Sequence, residues 1–158
     1  MEVKFDVKID AGMLFDYMLR HTYTSFAGLM GTIVGALILI AYSMNGQMIY
    51  LIVGVVVLVY QPGSLYLRAR QQALNPAFRK PLSYRMTEEG LEVSQGDVTE
   101  SQKWEDMVKA VSTTKSIILY TSKVNASIFP KKELGDKLPK VVEMISTHMP
   151  AKKVNIRL

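Results

Sequence analysis

The chain has 158 residues, 49% of them hydrophobic and 21% charged, with no cysteine and only two histidines, His21 and His148. That length allows one ordinary domain, or a small domain with a membrane segment. The missing cysteines exclude a disulfide framework, a thiolate nucleophile and a cysteine-based zinc or iron–sulfur site, and two histidines do not make a histidine-rich metal centre. Charge is also uneven: residues 1–21 carry three Lys/Arg against four Asp/Glu, a net of −1, and residues 68–158 carry sixteen against ten, a net of +6.

In chain order, Val3, Phe5, Val7 and Ile9 alternate with Lys4, Asp6 and Lys8, the period of a half-buried strand. Asp10 is placed to cap a helix from Ala11 to about Arg20. From Thr22 to Leu67 there are 46 residues without a single Asp, Glu, Lys, Arg or His. A bilayer crossing takes about 20 apolar residues, so this stretch predicts two transmembrane helices, residues 23–44 and 48–67. Asn45-Gly46-Gln47 is the turn between them. Gln61-Pro62-Gly63 falls inside or at the end of the second span and predicts a kink or a loosened turn. A cleaved signal peptide fits poorly, because the preceding segment is slightly acidic and the apolar run is too long.

Tyr23 and Tyr66 are placed to mark one membrane interface, Tyr42 and Tyr50 the other. Arg20 precedes the hairpin, Arg68, Arg70, Arg79 and Lys80 follow it, and the turn is uncharged. By the positive-inside rule both termini are cytoplasmic and the turn faces outward. Gly31 and Gly35 form a small-xxx-small pair that Ala27 extends, a helix-packing face for the second helix of the same hairpin or for a second copy. With no acid or base in either span, a single copy does not build an ion or proton pathway.

Residues 68–80 are predicted as a juxtamembrane linker broken at Asn75-Pro76, and residues 81–158 as the main cytoplasmic domain. Short strands are expected at Leu82–Thr87, Leu91–Gln95, Val98–Trp104, Met107–Thr113, Ser116–Ser122 and Asn125–Phe129. Leu138, Val141, Val142, Ile145 and Met149 then recur at helical spacing, with Asp136 as the expected cap, Pro139 in the first turn and Pro150 as the stop. Val154–Leu158 is a frayed tail or an edge strand. A lone strand is not stable in water, so residues 3–9 should pair with the sheet of residues 82–129. The fold class is therefore a membrane α-helical hairpin plus an α+β cytoplasmic domain, an antiparallel sheet or barrel of about seven strands with a C-terminal helix.

The run Tyr84-Arg85-Met86-Thr87-Glu88-Glu89-Gly90-Leu91-Glu92-Val93 resembles the opening of the YcxB-like bacterial membrane proteins. Trp104-Glu105-Asp106, Val111, Leu119-Tyr120 and Ile128-Phe129-Pro130-Lys131 continue that pattern in order. Lys132-Glu133-Leu134 departs from it where the family often has an aromatic residue. The resemblance implies a pleckstrin-homology-like (PH-like) fold for the cytoplasmic part and a place in the bacterial plasma membrane. It brings no catalytic residues.

Trp104 is expected as a core anchor rather than a partner contact. Glu88-Glu89 and Glu105-Asp106 are expected as solvated turn acids, and neither histidine has a triad partner in sequence. No catalytic, metal or cofactor site is predicted. Arg68, Arg70, Arg79 and Lys80 are candidate lipid-surface contacts, with topology-setting charge as the plainer alternative. The expected function is a non-enzymatic, membrane-anchored scaffold or regulatory module. The alternatives are a subunit of a larger membrane transport or envelope complex, or an anionic-lipid sensor. Its expected partners are membrane lipids and either another protein or a second copy, not nucleic acid.

Overall fold

The computed structural model describes residues 2–78, 80–122 and 125–157. The alternating apolar residues at the start form strand β1 (Val3–Val7), with Val3, Phe5 and Val7 buried and Lys4 and Asp6 in solvent. Helix α1 (Ala11–Tyr23) starts where the Asp10 carboxylate accepts the Met13 N–H at 2.8 Å. Helix α2 (Phe26–Asn45) starts in the same way, with the Ser25 hydroxyl accepting from the Gly28 N–H. Each side chain satisfies one of the donors that a helix start leaves unpaired. α2 stops at Gly46, whose φ of +65° is a left-handed conformation that costs a residue without Cβ little.

Helix α3 (Met48–Ala73) then returns against α2 and continues through Pro62. The proline removes one N–H, leaving the Leu58 carbonyl without its intrahelical donor, yet the residues on both sides stay helical. The last part of α3 leaves α2 and packs on α1. Phe15 meets Tyr66 edge-on at 5.5 Å, and Leu65 and Ala69 are buried. Residues 68–73 thus continue α3 where a linker was expected, because Ala69 and Ala73 belong to the core. The break comes later, at the 3₁₀ turn Pro76–Phe78.

Strands β2 (Leu82–Met86), β3 (Gly90–Gln95) and β4 (Val98–Lys103) form an antiparallel meander, with β1 on the free side of β2. The register Val3↔Met86, Phe5↔Tyr84, Val7↔Leu82 puts the apolar residues of both strands on one face. The second sheet comprises β5 (Lys109–Ser112), β6 (Ser116–Tyr120), β7 (Ala126–Pro130) and β8 (Val154–Asn155), in the order β7-β6-β5-β8. β8 is the edge strand the tail left open, running parallel to β5. Among the described residues there are therefore eight strands where about seven were expected.

The sheets do not close into one barrel among the described residues. The chain leaves β4 through a 3₁₀ turn at Trp104–Asp106, where a strand end was expected, and enters the second sheet without pairing across the junction. A cleft of about 350 Å³ remains between β3 and β4 on one side and β7 on the other, lined by Tyr84, Leu91, Gln102 and Ile128.

After the short helix α4 (Lys131–Leu134), helix α5 (Leu138–His148) buries Val141, Met144 and Ile145. Asp136 does not cap it. That residue lies in the 3₁₀ turn Gly135–Lys137, and Lys137 holds the cap position without a side-chain bond. The core draws on β1, α1, the end of α3, both sheets and α5. At its centre Phe129 packs edge-on against Phe5 at 5.2 Å and Tyr84 at 4.9 Å, joining the two sheets through their side chains.

Candidate functional site

Two surfaces stand out. The first is apolar. Among the described residues 21 large hydrophobic side chains are exposed, and 18 of them lie between Phe26 and Leu67, on α2 and α3, which leaves three elsewhere. Both helices are long and apolar enough to cross a membrane, and very little of either is covered by the rest of the molecule.

Of the predicted packing residues, Gly35 and Gly31 face α3. A Cβ on Gly35 would meet Leu58 Cδ2 at 2.7 Å, and one on Gly31 would meet Gln61 Oε1 at 2.9 Å. Ala27 is exposed and does not share that contact. Gly54 on α3 completes the pair, since its Cβ would meet Leu39 Cδ2 at 2.6 Å. Gln61 lies half-buried between the helices, with its Nε2 donating to the Gly28 carbonyl at 3.5 Å.

The second surface is polar and lies where α1 runs into α2. A cleft of about 870 Å³ is bounded by the last turns of α1 (Asp16, Arg20, Tyr23), the β5–β6 turn (Thr113) and, across it, Lys131 and Arg157. Thr113 Oγ1 donates to Asp16 Oδ2 at 2.5 Å, and Lys131 Nζ donates to the Arg157 carbonyl at 2.9 Å. The Ser112 hydroxyl both accepts from the Arg157 N–H at 2.8 Å and donates to its carbonyl at 3.0 Å. No spacing rule could have assembled this cleft, because its cations come from positions 20, 131 and 157 and meet only through the tertiary fold.

The predicted lipid-surface residues are not gathered into one site. Arg68 and Arg70 are exposed on the last turns of α3, and the Arg70 guanidinium sits 5.9 Å from the Tyr66 ring centre. Lys80 is exposed, its backbone carbonyl taken by Gln95 Nε2 at 3.1 Å. Arg79 lies outside the described residues.

Trp104 is buried, its indole N–H donating to the Thr87 carbonyl at 2.8 Å and its ring stacked on His148 at 5.5 Å. His21 is exposed and stacks on Tyr17 and Tyr120. Among the described residues no group of three His, Asp or Glu side chains converges in the manner of a metal site. Glu2, Arg85 and Glu92 form an exposed charge ladder across β1, β2 and β3, with contacts of 2.8 and 3.2 Å. Hydrogen bonds from Arg85 and Lys4 hold the Glu2 carboxyl down to about 2. Burial pushes the Tyr84 hydroxyl up to about 12, partly offset by its hydrogen bond with Ser127.

Residues 87–144 match the family model described as YcxB-like protein, a stretch that runs from β3 into α5 and does not include α2 or α3. Neither a curated protein nor a solved structure matches the chain.

Proposed function

We propose that this YcxB-like domain belongs to a membrane-anchored scaffold or regulatory module with no enzymatic activity. In this reading α2 and α3 cross a bacterial plasma membrane, both termini lie in the cytoplasm, and the two sheets with α5 form a PH-like unit held at the membrane face. The observation that carries it is the exposed apolar surface of the two helices. Water does not tolerate a contiguous apolar surface of that extent, whereas a bilayer requires it.

Three further features support the same reading. The 20 residues of α2 reach about 30 Å at 1.5 Å each, the thickness of a hydrocarbon core. Arg20, Arg68, Arg70 and Lys80 flank the domain end of the hairpin, while Asn45-Gly46-Gln47 at the other end is uncharged, as the positive-inside rule asks. The sheets and α5 support the PH-like assignment through their order, a meander followed by a second sheet and a terminal helix.

Alkaline carbonate extraction of membranes from expressing cells tests the anchor. The full chain should stay in the pellet, and its release with the peripheral proteins would overturn the reading. A mild-detergent pull-down then tests the scaffold role through a partner at fixed stoichiometry. Recovery of a multi-span protein at that stoichiometry would move the chain into a larger membrane complex.

A further inference from the structure

We propose that the cleft at the root of the hairpin binds the phosphate of an anionic phospholipid headgroup through Arg20, Lys131 and Arg157. The proposal rests on the membrane reading above and names the ligand that the domain meets there.

Position is the first reason. Tyr23 and Thr24 line the cleft, Ser25 caps α2, and Phe26 at the start of the apolar helix is 80% exposed. If the hydrocarbon layer begins at Phe26, the headgroup layer falls at the mouth of the cleft.

Charge is the second. The cleft brings three cations to one acid, and that acid, Asp16, already accepts from the Thr113 hydroxyl. Among the described residues none of the three cations makes an ion pair. Guanidinium groups bind phosphate oxygens through paired, charge-assisted hydrogen bonds, and an ammonium adds a point charge.

Preorganisation is the third. Lys131 is fixed at both ends, with its N–H donating to the Lys115 carbonyl at 2.9 Å and its Nζ to the Arg157 carbonyl. That leaves two of the ammonium donors for a ligand. Ser112 clamps the backbone of Arg157 from both sides, so the C-terminal arm is tied to β5 at the wall of the cleft. The volume, about 870 Å³, lies in the range of small-molecule sites.

Native mass spectrometry of the full chain in neutral-detergent micelles tests the proposal. Phosphatidylglycerol and phosphatidylcholine are supplied at equal concentration, and the lipid retained per chain is counted. The wild-type chain should retain phosphatidylglycerol in preference. Arg20→Gln, Lys131→Gln and Arg157→Gln should each weaken that preference about fivefold, while Lys103→Gln, on exposed β4, should leave it unchanged. Equal retention of both lipids by the wild-type chain would overturn the proposal, and this comparison does not depend on any variant folding. Retention of inorganic phosphate by the chain, with no preference between the two lipids, would also overturn it, by making free phosphate the ligand. A chain that stays with carbonate-washed membranes yet shows no lipid preference fails this inference and leaves the anchor intact. A chain released by carbonate fails the anchor itself.

Discussion

Gly28, Gly35 and Ala27 lie on one short stretch of α2 and meet very different surroundings. A Cβ on Gly28 would fall 2.0 Å from the Thr22 carbonyl oxygen, a backbone atom at the end of α1 that cannot swing aside. At Gly35 the obstacle is the branched end of Leu58, which can shift in part. Ala27 is exposed. Thermal unfolding in detergent should therefore rank Gly28→Ala as the most damaging, costing about 2 kcal/mol or more through overpacking. Gly35→Ala should cost less and Ala27→Leu almost nothing. The small-xxx-small spacing singled out Gly31 and Gly35 but missed Gly28, because the close approach there comes from the tight α1–α2 corner and not from helix periodicity.

Tyr84 gives a second prediction at this scale. Its hydroxyl is raised from 10.0 to about 12 because burial disfavours the phenolate. Below pH 10 the folded and unfolded chains bind the same proton. Between pH 10 and 12 the unfolded chain loses it first, so stability falls as pH rises, by about 1.4 kcal/mol per unit at most. Tyr17 and Tyr120 are raised as well and deepen the same limb. Tyr84→Phe should flatten the fall in urea midpoint above pH 10, and an unchanged slope would contradict the assignment of that burial.

At the scale of elements, β1 is held by its register on β2 and by Phe5 in the aromatic group with Tyr84 and Phe129. Phe5→Ala should lower stability by about 3–5 kcal/mol, the cost of emptying a large aromatic site. Asp10→Ala, which removes the cap of α1, should cost about 1 kcal/mol. Urea titration of the two variants in detergent separates these sizes.

Both elements were legible in the sequence, β1 from its strict alternation and α1 from a capping residue ahead of apolar spacing. Asp136 was misread because composition marks a capping residue without marking where the helix begins. The 3₁₀ turn at Gly135–Lys137 moves that start one residue on, to Leu138, with Lys137 at the cap. Likewise Arg68, Gln71 and Gln72 look like a polar linker, yet Leu65 and Ala69 of the same helix are buried, and tertiary packing extends α3 to Ala73. β6 shows the converse: Ile117 and Leu119 face the main core, and Ile118 and Tyr120 face α1. An unbroken apolar run was there to be read, but not the second layer that covers it.

For the whole molecule, the three segments that precede, form and follow the hairpin are one folded body. β1 joins the sheet of β2, β3 and β4, and α1 lies between that body and α2, while α3 ends inside the core. The hairpin is thus rooted in the domain by two helices rather than hung from a flexible tether, which fixes the orientation of the basic cleft toward the base of α2. The uncharged stretch of 46 residues made the hairpin plain. The split into two sheets was not plain, because the turn at Trp104 that separates them looks, in sequence, like the end of an ordinary strand.

If α2 and α3 cross a bilayer as proposed, the domain lies on one side and the Gly46 turn on the other. The chain has no cysteine, so single cysteines report cleanly. Asn45→Cys and Ser101→Cys, both at exposed positions, are labelled with a membrane-impermeant maleimide in intact cells and in inverted vesicles. Asn45→Cys should be labelled in intact cells and Ser101→Cys only in inverted vesicles. Labelling of both from the same side would contradict the crossing.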